Sequence, residues 1–270
     1  MEYQRRHQPE EAPNAIRSVA AAEQLVARAV AESTRVTDER TASILQDVLD
    51  ELADSDTLSA LCHELKATGR YVDYAYRHNN GFFVLFLTDP EIGIQARLHL
   101  WLPGHVSPEH PHRHRMAFVS RVVAGELESI HFERHEPNAA PAPTDALYEE
   151  AVINAPARTD FDAPAAELQR HQTVILREAS RHHYKTGDSY FFPAAGIHRV
   201  ETPVALASPN ITLTVWGLPS QDSIAYEPCG SFAAAGSVRK SVQRLSPATF
   251  GDLLDTVVAH LQQSRRDPAS

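Results

Sequence analysis

The sequence predicts a mainly β fold, an antiparallel sandwich or barrel, with a helical layer in front of it and one helix behind. Two observations carry this. Between residues 71 and 220, short β-rich runs alternate with turn sequences, and no helical pattern separates one strand from the next, which argues against a doubly wound parallel sheet. On both sides of that span, apolar residues return at helical spacing instead.

Taken in order, residues 1–13 are polar and read as a frayed tail. Residues 14–70 form the helical segment. Ile16, Val19, Ala20, Leu25, Val26, Ala29 and Val30 make a first helix, ending near Ser33. A second is expected after a Thr37-Asp38 cap, with Ile44, Leu45, Val48, Leu49 and Leu52 on one stripe. A third runs through "TLSALCHELKATG" and stops at Gly69. From Tyr71 the runs "YVDYAYR", "GFFVLFL" and "IQARLHLWL" are strand-like, divided by the turn sequences "HNNG" and "TDPEIG". Strand signals continue through "MAFVSRVVAGELESIHFE". The Ala/Pro-rich, acidic stretch at about 137–166 reads as a long loop, after which "QTVILREA", "DSYFFPA", "IHRVETP" and "NITLTVWG" resume the β pattern. His182 and His183 fall in what reads as a turn. In the extension over 221–270, Ser246 as N-cap and Pro247 as first residue open a helix over 247–263, with Phe250, Leu253, Leu254, Val257, Val258 and Leu261 on one face.

The chain has 270 residues, enough for one large β domain with additions. A formal net charge of −10 argues against a protein that tracks nucleic-acid phosphates, which needs a basic surface. Cys62 and Cys229 are far apart and in no metal-ligand spacing, which fits a reducing compartment and a cytoplasmic location. Neither a signal-peptide apolar region nor an 18-residue apolar run is present, so no membrane association is expected. Scarce lysine beside abundant arginine and alanine is a bacterial, GC-rich coding signature.

The chemistry lies in the histidines. His110, His112 and His114 occupy every second position, so on a strand they share a face, and two such imidazoles can reach one cation at about 2.0–2.1 Å. A second segment, "TGDSYFFPAAGIHRVET", sets Gly187, Pro193 and His198 five and then four residues apart. The two segments resemble the paired motifs of the cupin superfamily, whose fold is a double-stranded β-helix, the jelly-roll barrel. In the first, His112-x-His114 is followed by three residues, Phe118, six residues and Gly125. In the second, Gly187, Pro193 and His198 match, with Thr202 where asparagine is usual. The resemblance spans about Tyr71 to Leu218.

Phe118 stands where that family places a glutamate, reducing the usual ligand set to three histidines. The resemblance is to the three-histidine type, similar to cysteine dioxygenase-like non-haem iron enzymes, and it implies Fe(II), with Zn, Ni or Mn as alternatives. Spacing downstream to Gly125 selects His112 and His114; spacing upstream from Gly104 selects His110 and His112, leaving His110 as the alternate ligand. Pro111 lacks the N–H a ladder needs, which favours His112, His114 and His198. Candidate substrate contacts are Arg97 and His99, which alternate with Trp101 on one strand, and Tyr76, Arg77 and Tyr190. The expected activity is a dioxygenase acting with dioxygen on a small polar organic substrate, in a chain that pairs as a homodimer. A metal-dependent lyase or isomerase and a non-catalytic ligand-binding cupin are the alternatives.

Overall fold

The computed structural model describes residues 16–33, 38–104, 109–137, 145–154, 165–202, 208–232 and 237–266; the expected polar tail and the Thr37 cap position lie outside them. Three helices lead: α1 (Val19–Ser33), α2 (Asp38–Ala53) and α3 (Ser55–Thr68). Asp54 caps α3 by accepting from the Asp56 and Thr57 N–H groups at 3.1 and 2.9 Å, and Gly69 ends it in a left-handed conformation. The last helix, α4 (Pro247–Arg266), starts where expected, with the Thr249 N–H donating to Ser246 Oγ at 3.1 Å.

The strands are β1 (Tyr76–Arg77), β2 (Phe83–Phe86), β3 (Gln95–Trp101), β4 (His112–Arg113), β5 (Phe118–Ala124), β6 (Glu126–His135), β7 (Asp145–Asn154), β8 (Ala165–Lys185), β9 (Ser189–Phe192), β10 (Ile197–Glu201), β11 (Asn210–Trp216), β12 (Ile224–Pro228), β13 (Ser237–Ser241) and β14 (Gln243–Arg244). They form two seven-stranded sheets, ordered β14-β1-β2-β3-β11-β5-β9 and β13-β8-β6-β10-β4-β12-β7. Every pairing is antiparallel. The chain crosses between sheets at each step from β3 to β6 and again from β8 to β12, which is the winding of a jelly roll. The expected fold class therefore holds. All seven residues of β11 are buried, and β11 and α2 share the main core, in which Leu45, Leu49, Leu213 and Val215 pack with Leu253 and Val257 of α4.

Three expectations fail. Tyr71 adopts φ 65° and Val72–Tyr74 make a single 3-10 turn, so only Tyr76–Arg77 of "YVDYAYR" is strand. Residues 145–154, inside the stretch read as loop, are strand β7, because its partners β8 and β12 supply ladders on both sides. His182 and His183 are not at a turn but within β8, a continuous strand of 21 residues. These pairings close a circuit, β8–β6–β10–β4–β12–β7–β8, around a small second core of Val174, Leu176, Ile197, Ile224 and Tyr226. Glu150 of β7 accepts there from Arg134 Nε at 2.7 Å and Gln172 Nε2 at 3.1 Å, which satisfies its buried carboxylate.

Cys62 is buried in α3, where burial pushes its thiol up to about 12, whereas Cys229 is exposed. A thiol-specific chromogenic reagent is expected to modify one cysteine in the folded protein and the second only on unfolding. Two fast-reacting thiols would contradict the packing of α3. Among the described residues, no helix is long and apolar enough to cross a membrane.

Candidate metal centre

The register of β4 against β10 sets His112 directly opposite His198, so both side chains leave the same face of the sheet. His114 follows two residues beyond His112 and turns to that side as well. The Nε2 atoms of His112 and His114 lie 3.0 Å apart, and those of His114 and His198 lie 2.9 Å apart. Potential ligand atoms of all three fall within 4.8 Å of one another, and among the described residues no other cluster of three or more such side chains exists. These three histidines form a candidate metal centre.

His110 contributes differently. Its backbone carbonyl accepts from His112 Nδ1–H at 3.0 Å, which puts the His112 proton on Nδ1 and leaves the Nε2 lone pair facing the centre. The Pro111 carbonyl accepts from the Tyr226 N–H at 2.9 Å, so the chain is already held against β12 before β4 begins, and His110 stays outside the converging set. The converging group is the one that the downstream spacing to Gly125 selects.

His114 and His198 are held well below the usual histidine range, first by burial and then by the neighbouring imidazoles. Both are neutral, and converging nitrogen lone pairs repel unless a cation joins them. Two metal–nitrogen bonds of about 2.1 Å at a right angle span about 3.0 Å, and a tetrahedral pair about 3.4 Å. The observed 3.0 and 2.9 Å are short enough for neighbouring donors to share one ion.

Aromatic rings pack around the three histidines. Phe118 lies with its ring 5.3 Å from that of His114 and 5.8 Å from that of His198; Phe192 stacks on His198 at 4.1 Å, and Trp216 meets His114 at 4.6 Å. The centre opens on a cavity of about 660 Å³ between the sheets. On the wall formed by β3, β11, β5 and β9, Arg97, His99, Ser120, Thr212, Thr214 and Tyr190 are neighbours by register.

Arg97 is buried, with its guanidinium 5.0 Å from the Phe86 ring and 4.9 Å from the Trp216 ring. Both its Nε, at 3.1 Å, and its Nη2 donate to Gln95 Oε1, and Gln95 in turn donates to the Pro90 carbonyl. Burial, then Arg97 and His78, push His99 down to about 3, so it is neutral. Burial raises the Tyr190 hydroxyl out of reach of ionisation, which keeps it a donor.

Of the sequence candidates, Arg97, His99, Tyr190 and Tyr76 line the cavity. Arg77, next to Tyr76 on β1, does not, because successive strand residues face opposite ways. The sequence reading missed Glu109 and Gln221. Glu109 accepts from Asn80 Nδ2 at 2.8 Å and from the Val200 N–H, tying the histidine-bearing segment to β10. Gln221 donates to the His114 carbonyl at 2.9 Å. Glu109 is adjacent to His110 and could have been flagged from the motif; Gln221 has no local signal.

No family model and no curated protein matches the chain. Among solved structures it is similar to an oxalate decarboxylase–formate complex from Lactobacillus farciminis, at 14% identity and a TM-score of 0.30 over 56% of this chain and 32% of that one. The chain thus spans about a third of the length of that protein. An RmlC-like cupin from Shewanella frigidimarina gives 15% identity and 0.29 over 54% and 84%. An oxalate oxidase gives 14% and 0.31 over 72% and 76%. At such scores, fold and site rest on the strand order and the geometry of this chain itself.

Proposed function

We propose that the protein is a mononuclear non-haem Fe(II) oxygenase of the cupin kind, oxidising a small organic acid. One observation carries the proposal: three histidines converge on a cavity whose opposite wall holds a buried arginine. Held by His112, His114 and His198, Fe(II) would supply positions at which a chelating substrate and dioxygen meet.

The rest is the work of the chain's own side chains. Arg97 binds the substrate carboxylate, its plane fixed in advance by Gln95 and two aromatic faces, so little freedom is lost on binding. Ser120 and Thr214 hydroxyls, 3.0 Å apart, offer further hydrogen bonds on the same wall. Phe118, Phe192 and Trp216 keep water from the histidines. The His112 bond to the His110 carbonyl holds one ligand ring in its orientation. A cavity of about 660 Å³ suits a small molecule.

The test is oxygen uptake by Fe(II)-loaded protein across small carboxylates bearing an adjacent hydroxyl, amine or thiol. One class is expected to stimulate uptake. Arg97→Leu is expected to raise KM for it about 10–100-fold, the loss of a hydrogen bond to a charged group, with metal content unchanged. Full zinc occupancy without oxygen uptake would overturn the proposal.

A further inference from the structure

We infer that Ser129 and His131 on β6 form the outer half of the metal centre, a hydrogen-bonded support that orients His198 and links it to the protein surface. The inference rests on the metal reading of His198. To present Nε2 to a metal, that histidine must carry its proton on Nδ1, and Nδ1 then needs an acceptor. Ser129 Oγ lies 3.4 Å from it, and His131 Nε2 lies 3.1 Å from the same Oγ. The hydroxyl accepts from His198 Nδ1–H and donates to His131 Nε2.

The strand register makes this possible. β10 pairs with β6 so that His198 sits opposite His131 and Val200 opposite Ser129, which puts His198, Ser129 and His131 on one face. Ser129 is fully buried in a strand whose neighbours Leu127 and Ile130 are core residues, a costly place for a hydroxyl that had no partner. Phe192 stacks on His198 and meets His131 edge-on at 5.2 Å, packing against both rings. His131 is half-buried, and its ring lies 4.6 Å from that of exposed His182, which Ser180 engages at 2.9 Å. A continuous set of polar groups thus runs from the buried ligand to solvent, through a wall otherwise made of aromatic rings. Ser129 and His131 are positioning residues: neither touches the cavity contents, and both act through His198.

Anaerobic titration of metal-free protein with Co(II) tests this directly, because both affinity and the visible ligand-field bands are read without turnover. Ser129→Ala is expected to weaken binding about 10–100-fold and shift the bands, the usual effect of losing an outer-sphere partner of a ligand. Ser129→Thr, which keeps the hydroxyl, should stay within about threefold of wild type on the same scale. Binding by Ser129→Ala within about twofold of wild type overturns the inference, as does failure of the threonine variant to restore it in a folded protein. Should Ser129→Ala not fold, His131→Phe is the second variant, and unchanged Co(II) affinity there is equally adverse. A wild type that takes up no divalent ion overturns the metal reading itself. A wild type that binds Co(II) but never consumes oxygen overturns only the oxygenase proposal.

Discussion

His198→Ala is expected to abolish metal uptake, while His110→Ala leaves about one ion per chain bound. His198 is the buried member of the group, opposite His112 across the β4–β10 ladder, and its removal leaves two ligands from one short segment of chain. His110, by contrast, supplies only its backbone carbonyl to His112, and alanine keeps that carbonyl. The loss at His198 should exceed the roughly 10–100-fold that an outer partner contributes. Metal analysis of anaerobically purified variants reads the result. Loss of metal in the His110 variant with retention in the His114 variant would reverse the ligand assignment.

Gly125→Ala is the largest expected effect on stability. Gly125 joins β5 to β6 at φ 81°, a left-handed conformation in which a non-glycine residue costs about 1–3 kcal/mol. A Cβ there would fall 1.7 Å from Asn210 Oδ1, so the asparagine must move. Moving it breaks two hydrogen bonds that hold the corner, from the Glu126 N–H to Oδ1 at 3.0 Å and from Nδ2 to the Glu126 carbonyl at 2.7 Å. At about 1 kcal/mol each, these bring the expected loss to about 3–5 kcal/mol. In a chain of this size that lowers the melting temperature by roughly 10 °C, readable by calorimetry or circular dichroism. A shift under about 2 °C would mean that the corner relaxes around the methyl group.

Why the motif glycine was legible and other features were not follows from locality. Gly125, His112, His114, Gly187, Pro193 and His198 are fixed by tight turns and strand parity, which act over a few residues and leave a spacing in the sequence. The facing of Arg97 and His99 was readable for the same reason, since alternate residues of β3 share a face. β7 was not readable, because "DALYEEAVIN" is rich in alanine and glutamate and owes its strand form to ladders with β8 and β12. The length of β8 is hidden likewise, since one end pairs with β7 and the other with β6. Ser129 and His131 become neighbours of His198 only through the β6–β10 register, across more than sixty residues of chain. Arg77 and Arg97 are both candidate substrate contacts in the sequence, and the facing of β1 turns Arg77 away from the cavity that Arg97 lines.

The most direct measurement is electron paramagnetic resonance of the Fe(II)-loaded protein exposed to nitric oxide without oxygen. Three histidines with open positions predict a high-spin iron–nitrosyl signal at about one spin per chain, sharpened or shifted by the true substrate and absent in His198→Ala. Stoichiometric zinc that iron cannot displace, or bound iron that gives no nitrosyl signal, would contradict an open Fe(II) site at His112, His114 and His198.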